Sequence, residues 1–415
     1  MNRERFREGL TWLLAFLKWL LFATAIGVIV GAVGAAFHHA IELATELRTA
    51  HGWLLYLLPA AGLIIVASYQ LTDMADDKGT EYILSTVRDN KPLRLRTAPL
   101  IFVGTVLTHL TGGSAGREGA ALQLGGTISS TLGRLVHLNE KDERVITMCG
   151  MAAGFSALFG TPLAAAIFAM EVVSVGVMYY AAAVPCIFAA LIAQLTAAAL
   201  QVEPTTFALS AVADVNVLTL LQSLGLGVIC AVVSILFCTV MHRMPNFYDR
   251  ITKNPYLRAV LGGVLVVLLS LVFGRDYNGA GMGIIEQALE GEAVPWAFLL
   301  KILFTALTLS AGFKGGEIVP AFFVGATLGC TVGPLLGLPA GFAAAMGMVA
   351  VFCGVTNCPI TSILLAYELF GGEGLTLFAL VCVTSYMLSG YSSLYHSQLI
   401  VYSKLRAEFV NRHTH

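Results

Sequence analysis

Gly113-Ser-Ala-Gly-Arg-Glu118 and Gly312-Phe-Lys-Gly-Gly-Glu317 are two versions of one string, 199 residues apart. Each interrupts an apolar stretch with glycine, places a carboxylate at the break and leads into another apolar stretch. At the same spacing Gly126 falls on Gly325. A second pair follows in the same order. Gly150-Met-Ala-Ala-Gly-Phe-Ser-Ala-Leu-Phe-Gly-Thr-Pro162 aligns with Gly347-Met-Val-Ala-Val-Phe-Cys-Gly-Val-Thr-Asn-Cys-Pro359 at an offset of 197, which also sets Glu171 on Glu368. Two matched blocks in one order mean two homologous halves. We place them at 1–205 and 206–395, followed by a short tail, 396–415, with no soluble regulatory domain. The strings are compatible with parallel or inverted halves.

The surroundings of these strings are those of a membrane protein. Of 415 residues, 57% are hydrophobic and 12% charged, against about 25% charged in an ordinary soluble domain. So few charges cannot wet the surface of a soluble enzyme of this size, and so many apolar residues exclude a disordered chain. The mean hydropathy of +0.80 points to many spans. The net charge of −1 offers no basic field for nucleic acid.

Charge-poor runs occur at 10–36, 52–72, 97–116, 146–202, 217–241, 256–274, 294–313, 318–367 and 374–391. Several are cut by Gly or Pro, so more helical pieces than full spans are expected. Arg3, Arg5 and Arg7 at one end, with Lys404, Arg406 and Arg412 at the other, place both termini in the cytoplasm of a multi-pass plasma-membrane protein. The eight cysteines lie in apolar stretches without metal-ligand spacing. They read as buried thiols, and no metal or cofactor is implied.

A glycine break at membrane depth exposes backbone N–H groups and is tolerated where it lines a cavity or is packed in protein. The helix that follows turns its positive end toward the break, which makes an anion site. Two such ends meeting would hold a small anion without a full positive charge. Glu118 lies inside this site and competes with the anion, or leaves it when protonated, which couples anion to proton movement. Its alternative role is a structural pair with Arg117, which itself divides between anion attraction and packing. Intramembrane ionisable residues are functional by default.

Glu317, read as the repeat-mate of Glu118, is a second proton-handling candidate, against a capping role. Glu171 and Glu368 suggest hydrogen bonds to neighbouring helix ends. His109 reads as a core histidine, and Lys301 and Lys314 as snorkelling side chains. The Gly154-Phe-Ser-Ala157 string allows a hydrolase using Ser156 and His109, but its repeat-mate carries Cys353. The chain is therefore read as a transporter and not an enzyme.

These motifs resemble the CLC family of anion channels and proton-coupled anion antiporters. Gly116-Arg-Glu-Gly-Ala120 is similar to the family's G-R-E-G-P, Gly315-Gly-Glu-Ile-Val-Pro320 stands where it has G-x-F-x-P, and Asn357-Cys-Pro-Ile-Thr-Ser362 matches its late helix. Ser393-Leu-Tyr395 stands at its pore-lining tyrosine. The resemblance implies an all-α integral membrane protein with two inverted repeats, whose broken helices meet at a central anion site, assembled as a homodimer in the lipid bilayer. Glu118 would be the gating glutamate. The anion would lie among Gly116, Arg117, Gly119, Thr80, Gly315, Gly316, Ile318, Val319 and Tyr395.

Three departures bear on the ion. Asp77-Lys-Gly-Thr-Glu-Tyr-Ile-Leu84 lacks the serine of the family's chloride site, and Val172 replaces the internal proton glutamate of chloride/proton exchangers. The Gly-Gly-Glu form at 315–317 resembles the fluoride/proton antiporter clade, although Val319 stands where that clade has threonine. The implied function is fluoride export in exchange for protons. The alternative is a chloride channel or chloride/proton exchanger.

Overall fold

The computed structural model describes residues 3–77, 79–89, 93–406 and 408–414. The side chains of Arg3 and Arg5 in the basic cluster, and Lys78 in the 77–84 stretch, lie outside what is described. Among the described residues, eight α-helices precede residue 200 and eight follow residue 216. In the first half they are α1 Arg3–Ala50, α2 Leu58–Leu71, α3 Thr80–Asp89, α4 Thr97–Leu110, α5 Glu118–Leu135, α6 Glu140–Phe159, α7 Pro162–Glu171 and α8 Ala183–Ala199. In the second they are α9 Val217–Ile251, α10 Pro255–Phe273, α11 Met282–Glu290, α12 Ala297–Ser310, α13 Ile318–Leu336, α14 Ala340–Thr356, α15 Pro359–Phe370 and α16 Leu375–Leu388. The long, short and middle-length helices recur in the same order, so the repeat extends through both halves.

Among the described residues, six helical stretches are long and apolar enough to cross a membrane, while α4, α7, α12, α14, α15 and α16 are apolar but shorter. Short buried helices fit segments that enter the membrane and stop at a break. Large apolar side chains such as Val232, Leu268 and Val272 are exposed on α9 and α10, as a lipid-facing surface requires.

The core lies where α5 packs on α6 and α13 on α14. Glycine permits these contacts. A Cβ on Gly125 would collide with the carbonyl of Gly150, and one on Gly325 with that of Gly347. Backbones this close gain dispersion contacts that larger residues would prevent. Gly125 and Gly325 are 200 apart, so the sequence pairing of Gly126 with Gly325 is off by one.

The offset shortens to 197 after the loops at 136–139 and 337–339. It then holds through the left-handed C-caps Gly160 and Asn357 and through Pro162 and Pro359, which start α7 and α15. Glu171 and Glu368 serve the fold. The carboxylate of Glu171 accepts from Thr361 N at 2.9 Å, Thr361 Oγ1 at 2.6 Å and Ile360 N at 3.2 Å. That of Glu368 accepts from Leu163 N at 2.9 Å and Ala164 N at 2.8 Å.

Residues read as a tail take a definite shape. β2 Leu399–Tyr402 pairs in parallel with β1 Ser174–Val175 and antiparallel with β3 Phe409–His413. Thr414 Oγ1 donates to the carbonyl of Tyr395 at 2.7 Å, which ties this sheet to the loop that carries Tyr395. All eight cysteines are free and buried.

Candidate anion and proton site

The two glycine breaks meet. Gly116 N donates to Gly316 O at 2.7 Å and Gly316 N to Gly116 O at 2.8 Å, an isolated antiparallel bridge. Around it the halves exchange equivalent hydrogen bonds. Ser114 N donates to Thr308 Oγ1 at 3.1 Å, and Lys314 N to Thr108 Oγ1 at 3.3 Å. Gly112 and Gly312, at φ of +84° and +106°, turn the chain out of α4 and α12. Every equivalence here is at 200, so a two-fold relation passes through the bridge. An antiparallel pair of equivalent residues is the contact that inverted halves make at their axis.

This register revises the sequence pairing. α5 starts at Glu118 and α13 at Ile318, while Arg117 and Glu317 are the N-cap residues. Glu317 is thus the counterpart of Arg117 and not of Glu118. One break presents a cation and then a carboxylate, the other a carboxylate and then an apolar residue. The first N–H groups of both helices lack intrahelical acceptors and lie on either side of the bridge.

Glu118 is 1% exposed. Its Oε2 accepts from Arg117 N at 3.0 Å, while Oε1 lies 3.4 Å from Arg117 Nε without a hydrogen-bond partner. Gly119, in the first turn of α5, has no room for a side chain. A Cβ there would come within 2.6 Å of Thr80 Oγ1, 3.0 Å of Gly316 Cα and 3.7 Å of Glu317 Oε2. Thr80, Glu317, Gly316 and Gly119 therefore converge on one spot. Gly315 packs on Ala115, and Ile318 and Val319 are buried in the first turn of α13.

Buried polar atoms are normally paired. Here Thr80 Oγ1, Glu118 Oε1, Glu317 Oε2 and Tyr395 Oη are buried without a partner among the described residues. The Tyr395 phenol is within electrostatic reach of Glu317 and Glu81. A row of unpaired polar atoms from different elements is what a path for a hydrated or coordinated ion presents.

Three residues escaped the sequence reading. Both amide atoms of Gln123 are buried without partners, and its Nε2 lies 3.4 Å from where a Cβ on Gly79 would stand, beside Thr80. A glutamine inside the apolar first turns of a helix after a break was the available signal. Glu81 Oε1 accepts from His396 N at 2.6 Å and joins α3 to the Tyr395 loop. His38 Nδ1 lies 3.0 Å from Arg117 Nη1, which holds the guanidinium beside Glu118. Arg117, His109 and Val319 also line a cleft of ≈ 860 Å³ at the face where α1 ends.

Of the two lysines expected to snorkel, Lys301 is fully buried and Lys314 half-buried, and both find carbonyl acceptors inside the protein. Lys301 Nζ donates to Tyr277 O at 3.1 Å and Gly279 O at 2.7 Å, which braces the loop whose Asn278 Nδ2 donates to Gly112 O at 2.6 Å. Lys314 Nζ donates to Asp77 O at 3.0 Å and lies over the Tyr69 ring. Ser156 Oγ donates to Ala190 O at 2.8 Å and is fully buried, so its hydroxyl is committed to the fold.

The family model described as "Voltage gated chloride channel" matches residues 61–390. The chain is a member of this family, the CLC proteins. One CLC relative, a chloride/fluoride channel protein of Pseudomonas syringae pv. tomato, is 37% identical over 97% of this chain and 91% of its own length. An H(+)/Cl(−) exchange transporter of Yersinia pestis is 26% identical over 84% of this chain and 80% of its own. A crystal structure of a CLC-type fluoride/proton antiporter superposes with a TM-score of 0.89 at 35% identity, covering 92% of this chain and 98% of that one. A slow cyanobacterial Cl−/H+ antiporter shares the CLC fold, with a TM-score of 0.77 at 21% identity.

Proposed function

We propose that this protein is a membrane antiporter that exports fluoride in exchange for protons. The carrying observation is the meeting of two helix N-termini at the Gly116–Gly316 bridge, with two carboxyl groups there that each hold a buried oxygen without a partner. Backbone N–H groups and two positive helix ends stabilise an anion without binding it as tightly as a fixed cation would. Glu118, anionic, occupies the anion's place. Protonated, it yields that place, so one carboxyl links the two ions.

Selectivity follows from Glu317, Thr80 and Tyr395. A protonated carboxyl and two hydroxyls are donors, and fluoride is the strongest hydrogen-bond acceptor among the halides. Val319 is apolar and buried, so the second helix start supplies backbone N–H groups and no hydroxyl at that position. The likeness to proteins named for fluoride supports the same reading.

Chloride transport is the second reading, favoured by Val319 and by the chloride named among the relatives. The division at 205/206, homodimer assembly and cytoplasmic termini belong to the same proposal. Cross-linking in membranes and protease access to Arg7 and Arg406 test the last two. Purified protein in liposomes, with fluoride, chloride and proton fluxes recorded together, tests the function.

A further inference from the structure

We propose that His38, His39 and Glu42 form a binding site for a transition-metal dication, with Zn²⁺ the fitting ion, and that metal binding there releases Arg117. The three residues lie on α1 beside the cleft. Their ligand atoms all fall within 4.8 Å of one another. Glu42 Oε2 is 3.7 Å from His38 Nε2 and 3.5 Å from His39 Nδ1. Ligands of a tetrahedral zinc ion at ~2.0–2.1 Å stand roughly 3.3 Å from each other, so small rotations complete the set, with water as the fourth ligand.

The hydrogen bonds of the two rings are the second observation. His39 Nε2 lies 2.9 Å from the carbonyl of Leu200. A carbonyl only accepts, so Nε2 carries the hydrogen and Nδ1 of the neutral ring is a bare acceptor. That acceptor faces a carboxylate oxygen. Two acceptors at 3.5 Å repel unless a proton on the ring or a metal cation lies between them, and a dication there satisfies both. A ring nitrogen donating to a backbone carbonyl while the other faces the metal is the usual orientation of a ligating histidine.

His38 is set differently. Its Nδ1 accepts from Arg117, so the hydrogen is on Nε2. A metal on Nε2 displaces that proton and requires the neutral ring to carry its hydrogen on Nδ1, which can no longer accept from Arg117. Metal binding and the His38–Arg117 hydrogen bond exclude each other. Arg117 Nε is already 3.4 Å from Glu118 Oε1, so the freed guanidinium turns toward the carboxylate and holds it in the anion's place. The cleft lining admits a dication: Glu42, Glu46, Glu203, Asp276 and Glu286 outnumber Arg48, Arg117 and Arg275.

The test uses the full chain purified without a histidine tag. Calorimetric titration with Zn²⁺ is expected to give one site per chain. His39→Ala and Glu42→Gln are each expected to weaken it at least about tenfold, and His137→Ala to leave it unchanged. Co²⁺ is expected to give the strong visible absorption of a tetrahedral site in wild type only. His39 and Glu42 are largely exposed, and unchanged elution in detergent checks that both variants fold. Equal Zn²⁺ affinity in wild type, His39→Ala and Glu42→Gln overturns the site, whatever the transported ion. On the transport reading above, Zn²⁺ slows anion efflux from liposomes in wild type and spares His39→Ala. Binding without slowing overturns the link to Arg117 alone.

Discussion

Glu171 and Glu368 cap each other's helices: each stands in the last turn of a helix in its own half and accepts the free N–H groups that start the matching helix in the other. Glu171 holds the start of α15 and Glu368 the start of α7. Proline at N1 of each helix removes one free N–H, and the carboxylates take the next two. The two halves are thus clasped at a second place, away from the Gly116–Gly316 bridge.

Glu171→Ala is expected to destabilise the protein more than Glu368→Ala, because Glu171 is more buried and also accepts from the Thr361 hydroxyl. Leaving these donors unpaired costs about 1–3 kcal/mol. Thermal unfolding in detergent checks the order. Equal midpoints in both variants and wild type would remove the clasp from the account.

Tyr395→Phe separates fold from function. The hydroxyl is buried and has no hydrogen-bond partner among the described residues. Its removal is expected to leave the unfolding midpoint within about 2 °C of wild type, since no internal hydrogen bond is lost. Anion efflux is expected to change severalfold. A large fall in stability with unaltered efflux would show that the hydroxyl belongs to the core.

Gly119→Ala probes the crowding at the site. Its Cβ would press on Thr80 Oγ1 at 2.6 Å and Gly316 Cα at 3.0 Å. Overpacking of this kind costs typically ~1–3 kcal/mol. Efflux is expected to fall at least tenfold, and Thr80→Ala in the same chain is expected to restore part of it. Full activity in Gly119→Ala would show that the anion does not pass this point.

Much of this architecture was legible in the sequence because a glycine break in an apolar run has few physical explanations. Gly112–Gly119 and Gly312–Pro320 marked the candidate site, and Pro162 with Pro359 marked the helices that Glu171 and Glu368 serve. Register was not legible. Glu118 and Glu317 align best as letters, yet the helices begin one residue apart in that alignment, and backbone pairing decides it. The place of the two lysines was not legible either, because Lys301 and Lys314 find carbonyl acceptors that only the folded loops supply. The sheet at 399–413 reads as a tail in sequence because its strands are only four and five residues long and Lys404, Arg406 and Glu408 lie between them. Gln123, five residues after Glu118, stands out in sequence only as a glutamine in an apolar helix start, and its place beside Thr80 follows from Gly79 packing against α5.

The central claim is that Glu118 couples fluoride to protons at the meeting of α5 and α13. The most direct measurement is proton uptake driven by an outward fluoride gradient in liposomes, recorded for wild type and Glu118→Gln, with chloride gradients in parallel. The expected result is fluoride efflux with matching proton uptake in wild type, slower chloride efflux, and loss of proton movement in Glu118→Gln, because an amide cannot carry the proton. Proton uptake at the wild-type rate in Glu118→Gln, or chloride efflux faster than fluoride, would contradict it.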